Sequence, residues 1–396
     1  MHSPFKFIAA ALAALVLAGC QSNPPVAIPV DLAGLQEQRF AAAFQEVETQ
    51  VARKAFPGAV LAVGVKGRLV ALKAFGRLDS APNALPMPVD AIFDVASLTK
   101  VAATTTAAAL LYDQGRLELD APVARYIPEF AGVQGHDGIT VRHLLSHSAG
   151  LPSPMLLWKH ANNREDLLKL VYQLPAQWPP GTHFDYRDEN FILLGEIVER
   201  ISGQRLDRFL ADRAFGPLGM RDTGFNPSPA LLARIPPTEQ DTYFRHALVR
   251  GTVHDENAHV MGGVSGHAGL FSTAADLARL AQFYLNQGQL DGQRLLRPQT
   301  ITTFTTLQEL PPGSTRALGW DTPSKTGAFS GPLASADAIV HTGFTGTSIY
   351  IDRSRNAFVI LLTNRVNPSR ENRQIGTARV AIHTAVLSAL DAGAAR

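Results

Sequence analysis

Apolar residues recur along this chain with two different periods, and each period predicts one kind of secondary structure. Five apolar runs have the length and residue types of strands and lie near the two ends of the chain: residues 58–65, 68–75, 338–341, 346–352 and 357–363. Lys66-Gly67 separates the first two runs, which predicts a β-hairpin at this point.

Helical spacing of apolar residues characterises most of the remaining chain. The segments predicted to be helical are residues 40–55, 97–113, 116–260 (in several pieces) and 372–390. The second of these helices is expected to stop at Gly115. Thr273 and Asp276 match a capping box, which predicts a further helix start where the Asp276 side chain bonds back to the backbone of Thr273.

Strands at both ends of the chain, with a helical block between them, predict an α/β (α+β) fold. Residues 39–115 and 262–392 are expected to form one domain, an antiparallel sheet flanked by the N- and C-terminal helices. Residues 116–261 are expected to form an inserted, mostly helical domain. A cleft between the two is the natural place for a functional site.

Composition narrows the class of protein. The chain has 396 residues, of which 46% are hydrophobic and 18% charged, as in globular proteins and unlike disordered or fibrous ones. The formal net charge is +2 and no run of basic residues occurs, which argues against nucleic acid as a partner. With one cysteine, the chain can form neither an internal disulfide nor a cysteine-built zinc site.

The N-terminus has the pattern of a secretory signal. Residues 1–19 contain Lys6 followed by an apolar run that is short for a membrane span. The letters LAGC, which end at Cys20, resemble the lipobox of bacterial lipoproteins. That resemblance implies lipidation of Cys20, a tether over 20–38, and a lipid-anchored protein of the bacterial cell envelope that faces the periplasm. Gln21 after the cysteine favours the outer membrane, while an ordinary cleaved signal with an incidental cysteine is the alternative.

Ser97-Leu-Thr-Lys100 is the first candidate for chemistry. At the start of a helix, residues i and i+3 share a face, so the Lys100 amine can reach the Ser97 hydroxyl. Desolvation there is expected to lower the pKa of Lys100 and let it act as a base. The pattern alone is weak, because Ser3-Pro-Phe-Lys6 in the signal segment also matches it.

The residues around Ser97 and Lys100 give a more specific indication of function. Residues 93–100 (FDVASLTK) resemble the nucleophile box of the serine β-lactamase and penicillin-binding protein superfamily. The superfamily also has Tyr-x-Asn on a loop of its helical domain. Tyr186-Arg-Asp188 is similar to that box, with Asp188 where asparagine is usual.

A third box, Lys-Thr-Gly on a strand, has two candidates. Lys325-Thr-Gly matches literally but lies in a loop rich in proline, serine and glycine. His341-Thr342-Gly343 ends a predicted strand, so it is the preferred match. The order of the boxes is similar to that of class C β-lactamases, DD-carboxypeptidases and β-lactamase-like carboxylesterases.

The resemblance implies roles for particular residues: Ser97, Lys100 and Tyr186 in catalysis, the amides of Ser97 and Phe344 in an oxyanion hole, and His341, Thr342, Gly343, Asp188 and Asn190 in substrate binding. Lys100 and Tyr186 would share the proton of Ser97. His341 and Thr342 would contact a substrate carboxylate, and Gly343 would let the substrate backbone approach closely. No cofactor is implied.

Three functions stay open at this point. The first is cleavage of an amide in a β-lactam or a D-Ala-D-Ala stem peptide, both of which occur in the cell envelope. The second is hydrolysis of short acyl esters, which needs no carboxylate anchor and so suits the missing lysine. The third is a non-catalytic binding protein, against which the retained Ser97, Lys100 and Tyr186 argue.

Metal-capable side chains cluster at His254, Asp255 and His259, with His267 nearby. The spacing of His254 and His259 is not the i, i+4 spacing of a helical zinc site. Hydrogen-bonded loop residues are therefore the favoured interpretation, and no metal site is predicted.

Overall fold

The structure is a computed structural model that describes residues 35–153, 156–323 and 329–394. Its α-helices are α1 (Leu35–Ala52), α2 (Thr106–Asp113), α3 (Val141–Leu145), α4 (Arg164–Tyr172), α5 (Asp188–Ser202), α6 (Leu206–Leu210), α7 (Glu256–Val260), α8 (Ala274–Leu285), α9 (Pro298–Thr305) and α10 (Ile375–Ala394). A π-helical turn, Lys100–Thr105, leads directly into α2.

The strands are β1 (Gly58–Val65), β2 (Arg68–Gly76), β3 (Phe93–Asp94), β4 (Gly224–Phe225), β5 (Glu239–Asp241), β6 (Ala247–Val249), β7 (Leu270–Ser272), β8 (Gln289–Leu290), β9 (Gln293–Arg294), β10 (Ala338–Thr342), β11 (Ser348–Asp352) and β12 (Ala357–Thr363). Five of them form the main sheet, in the order β10-β11-β12-β1-β2, and all neighbours are antiparallel. The central pair joins the two ends of the chain, because β1 pairs with β12 from Ala59↔Thr363 to Val65↔Ala357. The predicted fold class is confirmed.

Successive side chains along each strand of the main sheet point to opposite faces, and this alternation divides the core into two layers. In β1, Ala59, Leu61 and Val63 pack in the layer that also contains the apolar faces of α1 and α10. Val60 and Ala62 face the opposite layer, which includes α2, α5 and α8. Because successive strand side chains point to opposite faces, one short apolar run can serve both layers. The helix that starts with the π-helical turn at Lys100 and continues as α2, called the nucleophile helix below after the box in residues 93–100, belongs to this second layer and contacts α5, while α8 contacts β1 and β12.

The start of α8 differs from its prediction. Thr273 does cap the helix, since its hydroxyl accepts a hydrogen bond from the Asp276 amide at 3.1 Å. The Asp276 carboxylate, however, accepts from the Asp222 amide and the Thr223 hydroxyl, both at 2.8 Å. The reciprocal half of the capping box is therefore wrong. A tertiary partner, the chain just before β4, has replaced the local one.

Several sequence predictions fall on segments outside the described residues. These are the signal segment, Cys20 and most of the tether, together with Lys325. In the ranges that are described, none of the helices has both the length and the apolar character needed to cross a bilayer.

Candidate active site

A tight turn presents Ser97 at the start of the nucleophile helix. The buried carboxylate of Asp94 accepts hydrogen bonds from the Ala96 amide at 2.8 Å and from the His254 amide at 2.7 Å. Ala96 has φ of 47°, a left-handed conformation that is uncommon for a residue with a Cβ and often marks functional sites. Asp94 thus holds the strained turn that positions Ser97.

Lys100 lies one helical turn beyond Ser97 and is completely buried. Its Nζ is 3.1 Å from Ser97 Oγ, 3.0 Å from the His267 carbonyl oxygen and 2.6 Å from Asp188 Oδ1. The i, i+3 contact between Ser97 and Lys100 is the one predicted from sequence. The other two partners come from distant segments and fill the remaining donor positions of the amine.

The expectation that Lys100 has a lowered pKa is wrong. Burial, the largest single effect, acts to lower it, but the negative charge of Asp188 and the phenol of Tyr186 together outweigh burial, and the pKa is raised. Lys100 is therefore an ammonium in this structure. Asp188, expected to bind substrate, is instead the counter-ion of Lys100.

The loop carrying Tyr186 is supported from beneath by His147. The His147 and Tyr186 rings are 4.4 Å apart, and His147 Nδ1 lies 3.2 Å from the Arg187 amide nitrogen, which donates to it. The Asn190 side chain is 1% exposed and its Nδ2 lies 3.3 Å from the same His147 nitrogen. Asn190 was expected to bind substrate, but its burial against His147 gives it a structural contact with this loop. The Tyr186 ring itself lies 5.0 Å from Lys100 Nζ.

His341 borders the same space from the sheet side, with its ring 6.1 Å from that of Tyr186. Burial, together with the positive charges of Arg316 and Lys100, holds the pKa of His341 well below its usual range. Its Nδ1 donates to the Thr342 carbonyl oxygen at 2.9 Å, so Nε2 presents a lone pair. A neutral ring with a lone pair has no proton to offer a carboxylate, which contradicts the contact expected of His341.

Gly343 packs against the nucleophile turn, a contact that sequence reasoning missed. A Cβ on Gly343 would lie 2.4 Å from the Val95 carbonyl oxygen and 2.2 Å from Thr347 Oγ1. Thr347 Oγ1 donates to that Val95 carbonyl at 3.0 Å, and Thr345 Oγ1 donates to the Asp94 carbonyl at 2.8 Å. The absent side chain therefore permits close approach of the protein's own backbone.

This contact brings the Ser97 and Phe344 segments together. Among the described residues, neither the Ser97 amide nor the Phe344 amide donates a hydrogen bond to another protein group. Two free backbone N–H groups on adjoining segments are what an oxyanion hole requires. The oxyanion-hole role of these two amides stays a prediction.

The block 266–278 supplies a further support. Thr104 Oγ1 donates to the Gly266 carbonyl at 2.6 Å, next to the His267 carbonyl that accepts from Lys100. A Cβ on Gly266 would lie 2.0 Å from the Phe191 carbonyl oxygen, so only glycine fits between the nucleophile helix and α5. The sequence GHAG at residues 266–269 could have predicted a close backbone contact here, because two glycines lie within four residues.

The suspected metal cluster separates into hydrogen-bonded pairs. His254 Nε2 lies 2.8 Å from Glu239 Oε2, His267 Nε2 lies 2.9 Å from Asp255 Oδ1, and His259 packs edge-on against Phe244. His254 and Asp255 are hydrogen-bonded as expected, whereas His259 lies within α7 and not in a loop.

One closer group exists in the described part of the chain: single ligand atoms of Asp188, Asp255 and His267 lie within 4.8 Å of one another. The Lys100 ammonium contacts Asp188 through its carboxylate and His267 through its carbonyl. The chain's own cation is thus already placed against this group.

Comparisons with known proteins identify the family of this chain. Residues 43–383 match the Beta-lactamase family model. The chain is 33% identical over 377 residues to "N-acetylmuramyl-L-alanine amidase" of Bacillus subtilis. The aligned region covers 86% of this chain and 84% of that protein. It is 34% identical over 347 residues to "Putative D-alanyl-D-alanine carboxypeptidase" of Escherichia coli K12, which covers 78% of this chain and 79% of that protein.

Solved structures show the same fold. A penicillin-binding protein homologue from Caulobacter crescentus superposes with a TM-score of 0.72 at 24% identity, covering 89% of this chain and 97% of that one. EstCE1, described as a hydrolase with promiscuous acyltransferase activity, superposes with a TM-score of 0.72 at 23% identity, covering 89% of this chain and 100% of that one. The chain belongs to the β-lactamase family and is a serine hydrolase.

Proposed function

We propose that this enzyme cleaves an amide bond of D-alanyl-D-alanine stem peptides in the bacterial cell envelope, with Ser97 as the nucleophile, and that β-lactams acylate the same serine. The observation that carries this proposal is the contact between Ser97 Oγ and the buried Lys100 ammonium beside Tyr186. The names of the two relatives support an amide in a cell-wall peptide as the target.

The charge of Lys100 decides the direction of proton transfer. An ammonium donates to Ser97 Oγ and cannot accept the hydroxyl proton, so that proton passes to the Tyr186 oxygen. Lys100 stabilises the negative charge that Tyr186 needs as a base. Ser97 then attacks the carbonyl carbon, and the Ser97 and Phe344 amides bind the oxyanion.

The second half of the reaction returns the proton. Tyr186 protonates the leaving nitrogen, the C–N bond breaks and the acyl group remains as an ester on Ser97. Water then attacks that ester with Tyr186 again accepting a proton, and Ser97 leaves with its hydroxyl restored. Thr342 lies at the end of β10 beside this path and is assigned a contact with substrate.

The substrate is tested by turnover of three compounds by one preparation. We expect the enzyme to release D-alanine from an acetylated D-Ala-D-Ala peptide faster than it hydrolyses p-nitrophenyl butyrate, with kcat/KM as the measure. An N-acetylmuramyl-L-alanine peptide provides the competing amide. Ester turnover without cleavage of either peptide would overturn the amide proposal and favour a carboxylesterase.

The cellular location is inferred from the N-terminal sequence. We assign Cys20 as the lipidated residue of a mature chain that is anchored to the outer membrane and faces the periplasm. Several acyl chains hold a protein stably on a bilayer, whereas one does not. In cells, the wild-type protein is expected in the detergent phase and Cys20→Ser in the aqueous phase or unprocessed. Recovery of the wild-type protein in the aqueous phase would contradict the assignment.

A further inference from the structure

Arg316 is a buried cation at the cleft that the proposed mechanism does not use. It is 8% exposed, and its guanidinium lies 5.0 Å from the centre of the Phe184 ring and 5.4 Å from that of Tyr186. Its Nη2 is 3.5 Å from Asp321 Oδ2, a long distance for an ion pair. Within the described chain, Nε and Nη1 are buried and have no hydrogen-bond acceptor.

Such an arrangement is costly for the protein unless a ligand completes it. A buried donor without an acceptor loses its hydration and gains nothing in return, and the cost is larger when the donor is charged. Arginine retains its charge at any working pH, so the guanidinium cannot avoid this cost by losing a proton. Unsatisfied buried donors beside a reactive tyrosine indicate a place where an acceptor binds.

Three other cations near the cleft already have carboxylate partners. Lys100 is paired with Asp188, Arg187 with Asp185, and Arg370 with Glu239 at 2.6 Å. The two histidines that face Tyr186, His147 and His341, are held neutral by burial and by the charges of Arg316 and Lys100, their pKa values being well below the usual range.

We propose that Arg316 binds the substrate carboxylate, as the specificity-determining residue on the leaving-group side of the cleft. The inference rests on the proposed function, since it names the substrate class that the same site selects. Tyr186 delivers its proton to the leaving nitrogen, and Arg316 packs on the Tyr186 ring. A carboxylate on the carbon next to that nitrogen, as in D-Ala-D-Ala and in penicillins, therefore lies within reach of the guanidinium.

The chemistry of the two partners is complementary. A carboxylate offers acceptor lone pairs and a negative charge to N–H donors that lack both, in a site with little water. The neutral His341 ring has a lone pair at Nε2, which has no partner among the described residues, so this atom repels a carboxylate and can only accept a hydrogen bond. The positive charge that recognises the substrate carboxylate is thus carried by Arg316 and not by the first residue of the His341-Thr342-Gly343 box, where lysine is usual.

The test compares substrates that differ only at the carboxylate. Acylation of Ser97 is followed by intact mass for benzylpenicillin and its methyl ester, and peptide cleavage for acetyl-D-Ala-D-Ala and its carboxamide. The proteins are wild type, Arg316→Gln, Arg316→Lys and a control, Arg142→Gln, whose arginine is paired with Asp120. Wild type and the control are expected to prefer the free carboxylate by about 10- to 100-fold, the range of a charge-assisted hydrogen bond.

Arg316→Gln is expected to lose most of this preference, because it should slow the reactions of benzylpenicillin and acetyl-D-Ala-D-Ala and leave those of the methyl ester and the carboxamide unchanged. Arg316→Lys is expected to retain part of the preference. A wild-type protein without preference would overturn the inference. Equal slowing of both members of each pair by Arg316→Gln would also overturn it, because that result makes Arg316 a support for Tyr186.

A binding measurement separates this inference from the proposed function. Acetyl-D-Ala-D-Ala and its carboxamide are used as protectants against labelling of Ser97 by a fluorophosphonate, a reaction that needs no carboxylate. If the peptide is bound but not cleaved, stronger protection by the acid in wild type, and its loss in Arg316→Gln, still supports the carboxylate site. Equal protection by acid and amide would contradict it even in an enzyme that cleaves both.

Discussion

Ser97→Ala is expected to reduce the turnover of every substrate by at least about 10⁴-fold, because nothing else at the site can form the acyl-enzyme. The substitution removes one oxygen that Lys100 Nζ approaches at 3.1 Å. The ammonium keeps its contacts with the His267 carbonyl and Asp188, so the fold should be retained. The measurements are kcat/KM, the melting temperature, and intact mass after incubation with a β-lactam or fluorophosphonate.

Two controls make this result specific. Ser228→Ala removes an exposed serine that caps the turn at Ala230, and it should leave both the activity and the adduct unchanged. Lys325→Ala removes the lysine of the literal Lys-Thr-Gly match, and it too should have no effect on the acylation rate. An adduct on another residue, or a Ser97→Ala protein with near-native turnover, would refute Ser97 as the nucleophile.

The main elements could be predicted because they depend on local patterns. The runs at 58–65 and 357–363 carry apolar side chains on both faces of a strand, and the structure pairs them at the centre of the sheet. Ser97 and Lys100 are three residues apart on a helix, so their contact follows from helical geometry alone. Both features are dictated by short stretches of sequence.

The electrostatics of the site could not be predicted in this way. The pKa of Lys100 depends on its burial and on the opposing effects of Asp188 and Tyr186, which come from a distant segment of the chain. The pKa of His341 is lowered first by burial and then by the charge of Arg316, which comes from the chain before β10. Likewise, the Asp276 carboxylate accepts a hydrogen bond from the amide of Asp222, which is distant in sequence, and not from the backbone of Thr273. Each case is a contact between distant segments that no local spacing encodes.

Asp188→Asn is expected to bring the titration of Lys100 into the working pH range. In the native protein, burial acts to lower the pKa of Lys100, and the charges and hydrogen bonds of Asp188 and Tyr186 together outweigh it, with Asp188 the larger contributor. An asparagine keeps the shape and an acceptor oxygen but removes the charge, so burial is opposed far less and the pKa falls. Less of the protein then carries the Lys100 ammonium as the pH rises.

The sign of the activity change follows from the role of that ammonium. If Lys100 must be charged to stabilise Tyr186 as a base, Asp188→Asn loses acylation activity on the alkaline side at a lower pH than wild type does. Above the new pKa the loss should approach that of Lys100→Ala, on the order of 10²–10⁴ for a positioned proton-transfer group. The measurement is the acylation rate with one chromogenic β-lactam across the pH range, with melting curves to confirm folding.

A matched control is available on the same loop. Asp185→Asn removes a carboxylate that is paired with Arg187 rather than with Lys100, so it should leave the alkaline limb in place. Glu189, whose pKa burial raises to about 7, also titrates near the site. The charge of Asp188 is one cause of this raised pKa, so Asp188→Asn is also expected to lower the pKa of Glu189. The comparison is therefore repeated in a Glu189→Gln background, in which only Lys100 responds to the loss of the Asp188 charge.

The opposite result would identify a different base. If Lys100 works as a neutral amine, lowering its pKa makes the active form more abundant at neutral pH. Asp188→Asn would then be faster than wild type there, and its acid limb would move to lower pH. In that case Asp188 restrains the enzyme, and an asparagine at this position would be the more active choice. Because the two mechanisms move opposite limbs of the profile, one pair of pH–rate curves distinguishes them.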